Sequence, residues 1–160
     1  MPSPGEPFLD TYVPYVLRKA DQTLSAPFYG LLTQYSIARS EWRLLAVLHD
    51  LGELSVLDLA DASLSPQPTV THALRRLEKR NLVTRTPGAK DKRQRIVTIT
   101  PAGAELTATL IAEAKRLEAA ALAEAPNVEA LLDQLRDLTE TIERAAVSQP
   151  NSAKAHEDAS

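Results

Sequence analysis

The stretch SPQPTVTHALRRLEKRNLV, residues 65–83, constrains the fold most, because two prolines open a sequence with otherwise regular helical spacing. Proline is tolerated in the first turn of a helix, where its missing N–H would have no partner. With Ser65 as the N-cap, Pro66 and Pro68 become the first and third helical residues. Four apolar residues then share one face: Val70, Ala73, Leu74 and Leu77. Asn81 stands where a left-handed residue ends a helix, which predicts a helix of about four turns.

The polar side of this helix opens a strongly basic segment. Residues 65–95 contain nine Lys and Arg against Glu78 and Asp91, a net charge of +7, whereas the whole chain carries −3. The rest of the chain must therefore carry −10. An ordinary solvated surface is the alternative explanation, but segregation on this scale is typical of a site that binds a polyanion.

Several classes of function lack support in the sequence. The chain has no cysteine, which excludes disulfides and thiolate chemistry. The histidines, His49, His72 and His156, have neither metal-ligand nor catalytic-triad spacing, so we expect no enzyme, no metal and no cofactor. No apolar run is long enough to span a membrane, and the opening residues, MPSPGEP, lack the form of a signal peptide. A cytoplasmic protein is the expectation.

The remaining sequence predicts further helices and one hairpin. Two helices are expected at residues 8–24, where Pro14 implies a late start or a kink, and at 26–35. Two more are expected at 41–52, with Ser40 as N-cap, and at 56–63, with Ser55 as N-cap. The last two run from Thr100, as N-cap, to about residue 124, and after Pro126-Asn127 to about residue 147. The runs LVTRT and QRIVTIT flank the turn-rich PGAKDKR and predict the hairpin. The composition of residues 1–7 and 148–160 predicts disorder.

Three short helices followed by a basic hairpin is the element order of a winged helix-turn-helix domain, whose third helix enters the major groove of DNA. We therefore predict a mainly α (α+β) fold. The DNA-binding lobe would span residues 40–100, between N-terminal helices at 8–39 and C-terminal helices at 101–147.

Residues 40–105 resemble the MarR family of bacterial transcription regulators. The resemblance rests on motifs that occur in order: EWRLLAVL, GELSVLDLA, PTVTHALRRLEKRNLVTR and DKRQRIVTITPAG. Two residues depart from the family pattern, His72 where arginine is frequent and Asn81 where glycine is usual. The first departure bears on which base is read. The second is mild, because asparagine also adopts the left-handed conformation.

The N-terminal part of the third helix in such a domain faces the bases. The predicted base-reading residues are Gln67, Thr69, Thr71 and His72, with Ser65 and Pro68 at the leading end. Gln67 is the best candidate for a bidentate contact to adenine, and His72 is a candidate donor to guanine. Arg75, further along the helix, is expected to bind phosphate, which positions the helix without reading sequence.

The predicted hairpin repeats this division of roles. Asp91 and Arg93 match the Asp-x-Arg of the family's wing, which implies that the acid holds the loop and the arginine enters the minor groove. Lys90, Lys92 and Arg95 would add phosphate contacts. An ordinary charged hairpin tip explains these charges but not their order.

All seven aromatic residues lie between Phe8 and Trp42. They either pack in the core or line a pocket for a planar ligand, since such pockets are apolar and rich in aromatic side chains. The helix after Ser40 is predicted to be nearly buried, with Arg43 and Asp50 on its one polar stripe. Arg43 then needs an anionic partner, either a protein carboxylate or a ligand carboxylate.

The stretch YVLRKADQTLSAPFYGLL also resembles the subgroup of the MarR family that senses aromatic carboxylates. That resemblance implies that Arg43 clamps the ligand carboxylate and that Ser25 donates a hydrogen bond to the ligand. The candidate effector-binding residues are therefore Tyr15, Ser25, Phe28, Tyr29, Trp42 and Arg43.

The last helix carries a heptad-like apolar seam: Val128, Leu131, Leu135, Leu138 and Ile142. Such a seam either packs within the chain or, as the resemblance implies, joins the first helix in a homodimer interface. A two-fold dimer would read a palindrome on double-stranded DNA. The expected function is a repressor that a small aromatic carboxylate releases from its operator. The alternatives are a DNA-binding regulator without an effector and a winged helix that binds only protein, which leaves the basic segment unexplained.

Overall fold

The basic helix lies at the centre of a winged helix-turn-helix domain in a computed structural model, which describes residues 7–147. The predicted disordered segments, residue 7 excepted, lie outside the described residues. The elements are α1 (Phe8–Thr11), α2 (Val13–Gln34), α3 (Arg39–Leu51), β1 (Leu54–Ser55), α4 (Val56–Ala62), α5 (Gln67–Lys79), β2 (Val83–Pro87), β3 (Arg95–Ile99), α6 (Pro101–Ala121) and α7 (Val128–Val147). The mainly helical fold with a small antiparallel sheet confirms the predicted fold class. The chain divides into two units, one ending at Ala121 and the other beginning at Leu122.

The sheet has the strand order β1-β3-β2, with both pairs antiparallel. The hairpin of β2 and β3 was predicted, and its register pairs Arg85 with Val97. Strand β1 was not predicted, because a strand of two residues has no readable alternation. Its pairing of Leu54 with Val97 covers the other edge of β3, so the fully buried Val97 is held between two strands.

The core forms where α3, α4 and α5 pack against one another and α6 covers them. All four apolar residues predicted on one face of α5 are buried. They meet Leu44, Leu45 and Leu48 of α3, together with Leu59 of α4 and Leu110 of α6. Fully burying a leucine contributes roughly 1.5–3 kcal/mol, so this cluster fixes how the helices are arranged.

The two helices predicted at residues 8–24 and 26–35 are instead the short α1 and the long α2, so that prediction is wrong. Helix α2 begins at Val13 with Pro14 in its first turn, which agrees with the predicted late start. It then continues through Pro27. Proline removes one helical hydrogen bond, but continuing the helix buries Phe28 and Leu32 on one face.

Two predicted N-caps are wrong and two are confirmed. Helix α3 begins one residue before Ser40, because Ala38 is the extended capping residue and its N–H donates to the Glu41 carboxylate at 2.7 Å. The Ser65 hydroxyl donates to the Ser63 carbonyl, and Pro66 is the N-cap of α5, which makes Pro68 its second residue. The hydroxyls of Ser55 and Thr100 accept from the N–H groups of Asp58 and Gly103, as predicted. Helix α6 ends at Ala121, before the expected residue 124.

The start of α6 is fastened to the chain that leaves α5. Thr100 donates through its hydroxyl to the Asn81 carbonyl at 2.7 Å and through its N–H to the Leu82 carbonyl at 3.0 Å. Gly103 lies directly against that Leu82 carbonyl, where a Cβ atom would overlap the oxygen. The end of α5 and the start of α6 can therefore approach only with glycine at residue 103.

We expect Gly103→Ala to lower the free energy of unfolding by at least about 1–3 kcal/mol, the usual cost of forcing an extra carbon into a packed site. Gly30→Ala is the matched control, because a Cβ there meets nothing within 4 Å in the interior of α2. That control should be neutral or stabilising by up to about 1 kcal/mol, since alanine favours the helix. Chemical denaturation of both variants tests this, and equal stabilities would contradict it.

Candidate DNA-binding surface and ligand cavity

The N-terminal half of α5 presents most of the predicted base-reading residues to solvent. Pro66 is extended, with φ −58° and ψ 139°, so the chain enters the helix without a side-chain cap. The exposed residues are Gln67, Pro68, Thr69, His72 and Arg75, while Ser65 and Thr71 are half-buried. The opposite face is the buried face described above, so the polar side chains share one outward surface.

The C-terminal end of α5 is a Schellman motif. Asn81 has φ 57°, the left-handed conformation that its position predicted. Its N–H donates to the Glu78 carbonyl at 2.8 Å, and the Leu82 N–H donates to the Leu77 carbonyl at 3.0 Å. These bonds satisfy carbonyls that a helix end would otherwise leave without partners. They also turn the chain directly into β2, so the wing begins at a fixed position relative to α5.

The loop between β2 and β3 is closed by its own hydrogen bonds. The Asp91 carboxylate accepts from the Arg93 N–H at 2.9 Å, which is the loop-holding role that the family resemblance implied. Gly88 donates to the Gln94 carbonyl, and the Gln94 N–H donates to the Asp91 carbonyl. A Cβ atom at Gly88 would lie 2.7 Å from the Asp91 carbonyl oxygen, so the loop closes this tightly only with glycine there.

Three of the predicted DNA-binding residues lie in one cleft. Gln67 of α5 and the wing residues Arg93 and Arg95 line a cleft of about 340 Å³, and Ser55 and Arg85 contribute to its wall. Lys90, Asp91 and Lys92 are exposed on the wing loop but do not line this cleft. Helix α5 and the wing therefore present polar and basic groups to the same space.

Arg85 connects β2 to α5. Its guanidinium donates to both carboxylate oxygens of Glu78, through Nε at 2.9 Å and through Nη2. This bidentate hydrogen bonding to Glu78 raises the pKa of Arg85, whereas partial burial acts in the opposite direction. Paired guanidinium and carboxylate groups have a defined relative geometry, so this pair fixes the base of the wing against the helix.

The nine basic residues of the segment fall into two groups. Arg76 lies 2.9 Å from the Glu41 carboxylate, Arg80 donates to the carbonyls of Tyr35 and Ser36, and Arg85 pairs with Glu78. The side chains of the other six are exposed and make no ion pair or hydrogen bond among the described residues: Arg75, Lys79, Lys90, Lys92, Arg93 and Arg95. The sequence could not separate the two groups, because all nine count equally toward net charge.

A second, separate feature is a cavity of about 450 Å³ between α2, α3 and α6. Three of the predicted effector-binding residues line it, Ser25, Phe28 and Trp42. The rings of Phe28 and Trp42 meet edge to face with centroids 4.9 Å apart, so these two aromatics form one wall. The Ser25 hydroxyl donates to the Asp21 carboxylate at 3.2 Å.

The other three predicted effector-binding residues are not among the lining residues of this cavity. Arg43 is exposed, and Leu51 at the end of α3 is 62% exposed, so the prediction of a nearly buried α3 is wrong. The buried residues of α3 lie on the side of the helix that faces the core. The Cζ atom of Arg39 lies over the ring of Tyr29, 4.0 Å from the ring centroid. Tyr15 is 38% exposed.

Four titratable residues also line the cavity: His49, Asp50, Lys115 and Glu118. None of them was predicted from the sequence to bind an effector. A signal for Lys115 was present in the helical spacing of α6. Ile111, Lys115 and Glu118 are spaced four and three residues apart and so lie on one face, together with Ala114. What the sequence lacked was the partner, because nothing local shows that this face of α6 lies opposite Trp42.

Helix α5, the recognition helix of this domain, and the wing lie in a part of the chain that matches a known family. Residues 37–94 match the sequence profile of the MarR family. Residues 37–94 are therefore a MarR-family domain.

Two curated relatives agree with this assignment. The chain is 33% identical over 90 residues to the HTH-type transcriptional regulator FarR of Neisseria gonorrhoeae, a match that covers 56% of this chain and 62% of FarR. It is 31% identical over 105 residues to the HTH-type transcriptional repressor NicR of Pseudomonas putida, a match that covers 66% of each. The chain thus spans just under two thirds of the length of either relative.

Solved structures of MarR-type regulators superpose on the chain. SPO1453 of Silicibacter pomeroyi is 28% identical with a TM-score of 0.73, covering 84% of this chain and 99% of that one. BpsR of Bordetella bronchiseptica, whose DNA binding is regulated by 6-hydroxynicotinic acid, is 26% identical with a TM-score of 0.74, covering 84% and 98%. NadR in complex with 4-hydroxyphenylacetate is 27% identical with a TM-score of 0.71, covering 89% and 97%.

Among residues 7–147, none of the helices is long and apolar enough to cross a membrane. The same residues bring together no group of three or more His, Asp or Glu side chains that could hold a metal ion.

The hydrogen bond inside the wing loop gives a direct test of its geometry. We expect Asp91→Ala to speed amide hydrogen exchange at Arg93, because that N–H loses its acceptor. The free energy of unfolding should change by less than about 0.5 kcal/mol, since the site is exposed. Lys92→Ala, in the same loop, is the control and should leave the exchange at Arg93 unchanged. Equal exchange in both variants would mean that Asp91 does not hold the loop.

Proposed function

We propose that this protein is a homodimeric transcription regulator of the cytoplasm, acting as a repressor that leaves a palindromic operator when a hydroxylated aromatic acid binds its cavity. The observation that carries the DNA-binding part is the cleft where Gln67 of α5 meets Arg93 and Arg95 of the wing. In a winged helix-turn-helix domain, a helix in the major groove and a wing along the backbone need this convergence.

Charge supports DNA as the partner. Eight exposed basic residues, six of them with no ion pair or side-chain hydrogen bond among the described residues, belong to one segment of a chain that is acidic overall. A polyanion attracts such a segment although the net charge is −3. A winged helix that binds only protein would not need this segregation, and its binding would depend little on salt concentration.

Apolar surface on α1, α2 and α7 supports a homodimer. On α7, Leu131, Leu138 and Ile142 of the predicted seam are 51%, 40% and 59% exposed. On α1 and α2, Phe8 is 69% and Val13 55% exposed. Surfaces of this kind usually mark protein contacts, and a two-fold dimer presents two copies of α5 to two half-sites.

The DNA contacts divide into positioning and reading residues. We expect the wild type to select a palindrome from a random duplex library, with half-site centres about 10 bp apart. Arg93→Ala should weaken binding to all duplexes and lower the slope of log affinity against log salt by about one. Gln67→Ala or His72→Ala should cost about 1–3 kcal/mol on the selected duplex only. Titrations at several salt concentrations measure both effects.

Equal losses of the three variants on selected and random duplexes would contradict this division of roles. Sedimentation of the wild type with the selected duplex tests the homodimer. A monomer on DNA would rule it out.

The polar groups of the cavity favour a ligand that carries both an acid and a hydroxyl group. Lys115 is the cation in the cavity wall and can donate to a carboxylate. Asp50 and Glu118 are acceptors that would repel a second anionic group but accept from a phenolic hydroxyl. Phe28 and Trp42 supply an aromatic wall for the ring of such a ligand. The two structural neighbours named with hydroxylated aromatic acids, BpsR and NadR, support this ligand class.

Lys115 replaces Arg43 as the proposed carboxylate partner, because Arg43 is exposed and does not line the cavity. We expect 4-hydroxyphenylacetate or 6-hydroxynicotinate to bind the wild type and to lower operator affinity by about 5–150-fold, the usual range of allosteric coupling. Lys115→Met should weaken binding of the acid by roughly tenfold or more, whereas Arg43→Met should not. Isothermal titration with each acid, and with phenylacetate as the analogue without a hydroxyl, measures this.

Loss of binding in Arg43→Met alone would restore the clamp implied by the family resemblance. Equal binding of 4-hydroxyphenylacetate and phenylacetate would remove the role of Asp50 and Glu118. If the protein binds DNA but no aromatic acid, the alternative of a regulator without a small-molecule effector is correct.

A further inference from the structure

Two arginines of the recognition helix point to a role other than DNA contact. Arg80, the residue that ends α5, donates through Nη1 to the Ser36 carbonyl at 2.7 Å and through Nη2 to the Tyr35 carbonyl at 3.1 Å. Tyr35 ends α2, and Ser36 follows it with φ 53°. Carbonyls at a helix end lack intrahelical donors, so the guanidinium of one helix completes the end of another.

Arg76 makes the second link, one helical turn earlier in α5. Its Nε lies 2.9 Å from Oε1 of Glu41, whose side chain is 1% exposed. The other carboxylate oxygen of Glu41 accepts from the Ala38 N–H at the start of α3. Among the described residues Oε1 accepts no hydrogen bond of good geometry, so the contact with Arg76 is a charge pair, and Arg76 neutralises a buried carboxylate.

Both links end on one short segment, residues 35–41, which comprises the turn between α2 and α3 and the first residues of α3. The same two helices supply most of the cavity wall, through Ser25 and Phe28 on α2 and through Trp42 and Ala46 on α3. A ligand or side chain in the cavity that changes the distance between α2 and α3 must therefore move the segment that holds α5, or break one of its two links to Arg76 and Arg80.

We propose that Arg76 and Arg80 are positioning residues that fix the recognition helix to the α2–α3 turn, and that the cavity acts on the recognition helix through them. The inference rests on the proposed function only in assigning α5 to DNA. Arg75, next to Arg76 in the chain, is exposed and in this proposal contacts phosphate directly, without holding α5 to the rest of the protein.

Salt-dependent DNA titration separates the two roles. Arg76→Met and Arg80→Met should lose roughly three- to tenfold in affinity for the duplex that the wild type selects, with an unchanged salt slope and unchanged affinity for random duplex. Arg75→Met is the matched control and should lose affinity for both duplexes, with the slope lowered by about one. Arg80→Lys should remain impaired, because lysine lacks the planar fork that spans two carbonyls. A slope lowered by about one in the Arg76 and Arg80 variants would overturn the proposal.

Amide hydrogen exchange tests the links without DNA or ligand. Exchange should quicken at residues 36–38 and 77–82 in Arg76→Met and Arg80→Met, but not in Arg75→Met. Unchanged exchange in the first two variants would overturn the proposal even if the protein bound no DNA. The absence of salt-dependent DNA binding by the wild type would instead reject the proposed function.

Filling the cavity with a side chain tests the connection to α5. Ala46→Phe, or Ala114→Phe if the first variant is poorly folded, places a ring in the space that a ligand would occupy. Exchange at residues 77–82 should change when the ring is added to the wild type and should not change when it is added to the double variant Arg76→Met/Arg80→Met. An equal change in both backgrounds, or none in either, would show that the cavity does not act through these arginines.

Discussion

The rest of the structure depends on the way the recognition helix ends. At Asn81 the backbone enters the left-handed conformation and turns from α5 into β2. The carbonyls of Asn81 and Leu82 accept from Thr100 at the start of α6, and Gly103 allows α6 to approach the Leu82 carbonyl closely. The end of α5, the start of the wing and the start of α6 therefore all meet at Asn81 and Leu82. Because backbone atoms make most of these contacts, the side chains of α5 and the wing remain available for DNA.

The sequence predicted the features that adjacent residues determine. The apolar face of α5, the left-handed Asn81, the caps at Ser55 and Thr100 and the β2–β3 hairpin depend on residues a few positions apart. Helical and strand periodicity and the capping chemistry of short hydroxyls are therefore sufficient to find them. The same holds for the exposed polar face of α5, because it is the side opposite the buried one.

Features that depend on distant partners were missed. The predicted break between residues 24 and 26 is absent, because burial of Phe28 and Leu32 against the rest of the core favours a continuous α2. Strand β1 exists because β3 is beside it. Lys115 became a candidate for ligand binding only when α6 was found opposite Trp42. In each case the deciding contact joins residues that are far apart in the chain.

The position of Pro27 has a consequence for which molecules the cavity can hold. Proline has no N–H, so the carbonyl of Thr23 lacks its usual helical donor, one turn before Phe28 in the cavity wall. A helix can bend at such a point without breaking a hydrogen bond. Ser25 and Phe28 of the cavity wall lie on either side of Pro27, so a bend at this point would change the width of the cavity. With a wall that bends in this way, selectivity among aromatic compounds would depend more on the polar groups that line the cavity than on the size of the ring.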